Sequence, residues 1–163
     1  TTGVQAKAVK HYRRPEKALG YLQRMTTSFS YALPGSMYEV RPDFGMVAQA
    51  WNIYSYAVPI IKQFFGIEPM AHLKQVRISP QMPTSWNEAR REENSIGDKQ
   101  ISVGFRREKG DIVLNIQQTN SAYEMIFDQT LFHVDVEKGE SKKTNDNIYV
   151  SGTDLLIRLS PSK

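Results

Sequence analysis

"FFGIEPMAHLKQVRISPQMP", residues 64–83, is where the hydrophobic period of this chain changes. Before it, apolar residues recur every three to four positions. Ala18, Leu22, Met25 and Phe29 form one stripe, which predicts a helix opening at Pro15 and closing before "ALPG", residues 32–35. After it, the period is two. Val76 and Ile78 alternate in "KQVRIS", and Ile101, Val103 and Phe105 in "QISVGFR". Ile112, Leu114 and Ile116 do the same in "DIVLNIQ", Phe132, Val134 and Val136 in "LFHVDVE", and Leu155, Ile157 and Leu159 in "DLLIRLS". Turn signals are read at Lys109-Gly110, Lys138-Gly139 and Ser151-Gly152.

A second helix is expected from Gly45 to Phe65, kinked at Pro59 and stopped by Gly66. Val47, Trp51, Ile53, Tyr54, Val58, Ile61 and Phe64 point in nearly every direction around it. A helix that is apolar all round is buried on all sides. The fold class predicted is therefore α+β. Residues 1–70 are helical, and residues 71–163 form an antiparallel β-sandwich with one-sided strands.

Composition bounds the function. Of 163 residues, 40% are hydrophobic and 23% charged, with a net charge of +4. That is a globular balance with no strong basic field, so no nucleic-acid partner is expected. No run of about 18 apolar residues occurs, so no membrane span is expected. The opening "TTGVQAKAVKHYRR" lacks the apolar segment of a secretion signal. Cysteine is absent, which excludes disulfides, thiolate ligands and a thiol nucleophile. His11, His72 and His133 have no ligand spacing, so neither a metal site nor a cofactor is expected. No phosphate-binding glycine loop or nucleophile elbow is present. The compartment is not legible.

One carboxylate stands out. "GSMYEV", residues 35–40, places Glu39 after a Gly-Ser turn, and "AQAWNIYSYA", residues 48–57, follows it. This pairing resembles the closing segment of the six-hairpin (α/α)6 glycoside hydrolases. Glucoamylases carry a similar Gly-Ser-Met-x-Glu before a Trp-Ser-Tyr-Ala helix. Glycogen-debranching amylo-α-1,6-glucosidases carry a Glu before Gln-Ala-Trp. The resemblance covers residues 15–67. It implies that residues 1–70 are the last helical hairpin of such a barrel and residues 71–163 its C-terminal β-domain.

It further implies that Glu39 is the general base of an inverting, two-carboxylate hydrolysis of α-glycosidic bonds. That chemistry needs an acid on the leaving oxygen and a base on a water across the sugar, with the carboxyl groups ~6.5–9.5 Å apart. Ser36, Tyr38 and Arg41 are near enough in sequence to donate to Glu39, and Asp43 is the other carboxylate of this loop. Gln49, Trp51 and Tyr38 are the candidate substrate contacts, since aromatic faces suit the C–H faces of sugar rings. Trp51 and Tyr54 also read as ordinary core residues, and Trp86 as a packing anchor.

The general acid is expected outside this chain. Twelve helices of about 12 residues with short loops need upwards of about 200 residues. The expected partners are an oligosaccharide or polysaccharide substrate and the rest of the barrel. The chain alone is not expected to catalyse. Two other readings remain. A phosphorylase on the same barrel would place phosphate beside Glu39, where like charge repels it. A non-catalytic carbohydrate-binding or structural β-module would leave Glu39 without a role.

Overall fold

The computed structural model describes residues 2–40, 44–119 and 123–162. The chain divides into two compact units, residues 1–64 with 80–84 and residues 65–79 with 85–163.

The first unit holds three short helices: α1 (Thr2–Ala8), α2 (Pro15–Thr26) and α3 (Ala50–Pro59). Pro15 opens α2, where its missing N–H has no helical partner to lose. The stripe read from sequence faces inward at its start, with Ala18 and Leu22 buried. It runs out at Phe29, which is exposed and stacks on Tyr56 at 6.1 Å. α1 packs on α2 and α3 through small residues. Gly3 lies so close to Ser55 that a Cβ there would overlap it, and Ala6 is fully buried. The segment 80–84 is tied to the helices by polar bonds. Glu16 Oε1 accepts from the N–H and the hydroxyl of Thr84 at 2.6 and 2.9 Å. Gln81 Nε2 donates to the Lys10 carbonyl at 3.2 Å.

The second unit is one mixed sheet of eight strands: β1 (Ile67–Met70), β2 (Gln75–Ile78), β3 (Glu88–Ile96), β4 (Lys99–Glu108), β5 (Asp111–Gln118), β6 (Glu124–Asp128), β7 (Phe132–Lys143) and β8 (Asn147–Pro161). Its order is β1-β2-β6-β8-β5-β4-β3, with β7 on the other edge of β8. β2 and β6 run parallel and all other pairs antiparallel. The alternation read from sequence sets the register of the core. Phe105 pairs with Leu114 and Leu114 with Ile157, while Val103 pairs with Ile116 and Ile116 with Leu155. All of these side chains are buried.

The fold class expected from sequence is corrected on both counts. No helical hairpin forms. Between α2 and α3, residues 27–40 and 44–49 are irregular chain with two isolated bridges, and regular structure is mostly strand. The second helix begins at Ala50 rather than Gly45, because Gln49 is extended (φ −116°, ψ 116°) and its N–H donates to the Met37 carbonyl. Past Pro59 the helix widens into a π-turn, Ile60–Phe64. Its expected burial on all sides is also corrected: Trp51 is 77% and Tyr54 55% exposed.

The β-region is not an antiparallel sandwich but a mixed sheet curled into a nearly closed, barrel-like wrap. The reason lies in two glycines. Gly139 (φ +125°) and Gly152 (φ +140°) were read as turns, yet each lies inside a continuous strand. Gly139 falls within a double register shift of β7. Gly152 bends β8, which pairs with β6 over Asn147–Val150 and with β5 over Asp154–Leu159 on the same edge. Leu155 Cδ2 occupies the space that a Cβ would need at either glycine. By contrast, Lys109-Gly110 is a true hairpin turn between β4 and β5, with both residues at positive φ.

Gly152→Ala is expected to lower stability by about 1–3 kcal/mol, through strain at φ +140° and displacement of Leu155. Gly104→Ala, in a strand with an open contact, is expected to change it by less than about 0.5 kcal/mol. Urea denaturation of both variants measures the difference. Equal midpoints would mean that the bend is not fixed by these contacts.

Candidate functional site

The loop after α2 positions Glu39. Ser36 closes the turn at its start: its hydroxyl donates to the Leu33 carbonyl at 2.8 Å and accepts from the Leu33 N–H at 3.3 Å. Ser36 is therefore used in its own turn and does not serve Glu39. Phe29 and Met37 form a bridge that returns the chain to the end of α2.

Beyond it, Glu39 and Val40 are joined to Phe44 and Met46. The Glu39 N–H donates to the Met46 carbonyl at 2.9 Å, and Val40 and Phe44 exchange both main-chain hydrogen bonds at 3.0 Å. The Met46 N–H in turn donates to Glu39 Oε2 at 3.3 Å. Gly45 (φ +78°) makes this possible, since a Cβ at that position would meet the Glu39 carboxylate. The carboxylate is exposed, yet one oxygen is fixed by main chain. A carboxylate that accepts a main-chain N–H has its orientation defined.

The first turn of α3 braces the loop. Asn52 Nδ2 donates to the carbonyls of Tyr38 and Glu39, at 2.5 and 3.2 Å. Sequence reasoning missed Asn52. The signal was a lone amide in an otherwise apolar stretch, but its partners lie 13 and 14 residues away and depend on the loop.

Glu39 opens onto a cleft of about 400 Å³. Tyr38, Tyr21, Arg24, Met25 and Asn52 are among the residues that line it. The Arg24 guanidinium stacks over the Tyr21 ring at 4.9 Å, and the Tyr38 ring meets Tyr31 edge-on at 6.2 Å. Of the candidate contacts, Tyr38 and Glu39 share this cleft. Gln49 and Trp51 do not line it: Gln49 is the N-cap of α3, and Trp51 is turned to solvent. Arg41 and Asp43 lie outside the described residues. Trp86 is half-buried.

Glu39 is the one carboxylate among the described residues that line the cleft. Among the described residues, no group of three or more His, Asp or Glu could hold a metal ion, and no helix is long and apolar enough to cross a membrane. The perturbed titrations lie in the sheet. A hydrogen bond from Lys99, at 2.7 Å, holds the Asp98 carboxyl below the usual range. Glu137 and Glu108 hold the Arg158 guanidinium above its ordinary value.

Comparison of the chain with protein-family models, with curated proteins and with solved structures finds no match.

Asn52→Ala is expected to speed amide hydrogen exchange at Glu39 and Met46 by about tenfold, the equivalent of one lost hydrogen bond, while amides of β5 and β8 are unchanged. Unaltered exchange at those two amides would show that the loop holds its shape without Asn52.

Proposed function

We propose that this chain supplies the general base, Glu39, to a glycoside hydrolase acting on α-glycosidic bonds, with the general acid carried by a segment outside it. The observation that carries this reading is the state of Glu39. Its carboxylate is held by a main-chain N–H at the wall of an open cleft, beside a tyrosine and an arginine, with no second carboxylate there among the described residues. An inverting hydrolysis asks for an oriented base, room for a water, and the acid on the opposite face of the sugar. The resemblance of residues 35–57 to glucoamylase and debranching sequences makes an α-glucoside the first substrate class to test, with α-L-rhamnoside the second.

The exposed apolar side chains of the helical unit support a covering partner. Phe44, Met46, Val47, Trp51, Ile53 and Tyr54 all stand exposed, on a stretch with no charged residue from Phe44 to Ile61. Such a surface marks a contact with other protein. That partner is where the acid belongs on this reading.

The test is release of sugar from α-glucosides and α-L-rhamnosides. The chain alone is expected to release none. Joined to its acid-bearing part, it is expected to hydrolyse one of these classes, and Glu39→Gln to lower turnover ~10²–10⁴-fold with an unchanged thermal midpoint. Turnover that survives Glu39→Gln, or hydrolysis by the isolated chain, would overturn the assignment.

A further inference from the structure

The outer face of the sheet carries a second concavity. A groove of about 580 Å³ crosses β3, β4, β5 and β8, with Glu88, Arg90, Gly104, Val113, Asn115 and Leu156 among its walls. Arg90 pairs with Gly104, Gly104 with Asn115 and Asn115 with Leu156, so one rung of the sheet runs across the groove floor. The second position of that rung is glycine, and nothing among the described residues requires it. Gly104 does not adopt the left-handed backbone. A Cβ there would stand 3.6 Å from the Asn115 carbonyl oxygen and 3.8 Å from Asn115 Cβ, which is ordinary contact. A glycine inside a strand weakens it, and one with no local cause marks a place where something else approaches the backbone. Val113 deepens the slot. It alternates with inward-facing Leu114, yet it is only 4% exposed on the outer face.

Charge selects the ligand. Arg90 is already paired with Glu92 at 2.8 Å and donates to Gln117 Oε1 at 3.2 Å, and Arg106 is paired with Glu108 at 2.5 Å. Neither arginine is left as an unmatched cation, and Glu88 adds a negative charge to the wall. An anionic ligand is therefore disfavoured. The Asn115 side-chain amide makes no hydrogen bond among the described residues and offers both a donor and an acceptor. A floor in which Gly104 and Leu156 lie between a free amide, a carboxylate and partly used guanidinium donors matches a neutral polyhydroxylated ring. Its C–H face would lie on Gly104 and Leu156, and its hydroxyls would bond the rim.

We infer that this groove is a binding site for neutral oligosaccharide, separate from the Glu39 cleft. The choice of α-glucan as the ligand rests on the function proposed above; the groove and its neutral, polyhydroxylated ligand class do not.

The experiment is an NMR titration of the whole ¹⁵N-labelled chain with maltoheptaose. Shifts are expected at the amides of Gly104, Asn115 and Leu156. Gly104→Val, which fills the slot with a strand-favouring side chain, and Asn115→Ala, which removes the free amide, are each expected to weaken binding by about tenfold or more with thermal midpoints retained. If Gly104→Val does not fold, Asn115→Ala decides. Glu39→Gln is expected to titrate like wild type, so failure of the catalytic reading leaves this one standing. The inference is overturned if maltoheptaose moves none of these amides. It is also overturned if a folded groove variant binds as tightly as wild type, or if polygalacturonate binds there more tightly than maltoheptaose.

Discussion

The Gly152 carbonyl, at the bend of β8, accepts a hydrogen bond at 2.7 Å from the side-chain amide of Gln118. The rest of the sheet depends on this contact and on the bend that it serves. A strand that bends must release a main-chain group from its ladder, and a buried group without a partner is costly. Gln118, at the end of β5, is itself buried and also donates to the Tyr123 carbonyl at 2.9 Å and accepts from its N–H at 3.3 Å. One amide thus satisfies the bend and anchors the start of β6. Because β8 bends instead of stopping, its two halves hold β6 and β5 in turn along one edge. The two leaves of the sheet are joined by a continuous strand, with Leu155 filling the room that Gly139 and Gly152 leave. A side chain on either glycine would compete with that leucine for the same volume.

The helical unit is built differently. Its buried residues are few and small at the helix contacts: Ala6, Ala18 and Leu22, with Gly3 against Ser55. Its order comes largely from polar bonds to main chain, namely Glu16 on Thr84, Gln81 on Lys10, and Asn52 on the Glu39 loop. Such bonds are directional but individually modest. They define the aim of a loop better than they stabilise a core, and the loop they define is the one that carries Glu39. Gln63 shows the same economy. It is buried, its Nε2 donates to Gln81 at 3.3 Å, and its Oε1 has no partner among the described residues.

What the sequence disclosed follows from what each residue reports. Five strands were legible because their inward faces are unbroken runs of Val, Ile, Leu and Phe at period two, and burial on one face enforces that period. Three were not. β1 was hidden by Pro69 and by its four-residue length. β6 has Met125, Ile126 and Phe127 all buried, so it shows no alternation. β3 reads "EARREENSI", whose edge position and bulge near Glu93 (φ 51°) look like a solvated charged face. Gly139 and Gly152 could not be told from turns, since glycine reports a positive φ and not whether the chain reverses or only bends. The parallel β2–β6 pairing joins residues about fifty apart, which no local pattern reports. At the site, Glu39 and Tyr38 were picked out from their motif, and both line one cleft. Asn52 was not, because its role exists only once the loop has folded. Trp51 was misread as core because apolar character in a sequence does not say what covers it.

That last error carries a physical lesson about the molecule. Among the described residues, every large apolar side chain that stands exposed belongs to the helical unit, except Leu73. The sheet buries its own apolar face and needs no help. The helical unit does not, and its uncovered residues crowd the same stretch that frames Glu39: Phe44 and Met46 in the loop, Trp51 and Tyr54 on α3. On the proposed reading, a lone carboxylate in an open cleft and an uncovered apolar surface beside it are two aspects of one deficit. Whatever buries Phe44, Trp51 and Tyr54 must approach the Glu39 loop closely, and it would exclude water from the cleft as it does so. Exclusion of water strengthens every charge interaction at Glu39. On the proposed reading, the surface that completes the fold of this unit is therefore also the surface that completes its chemistry.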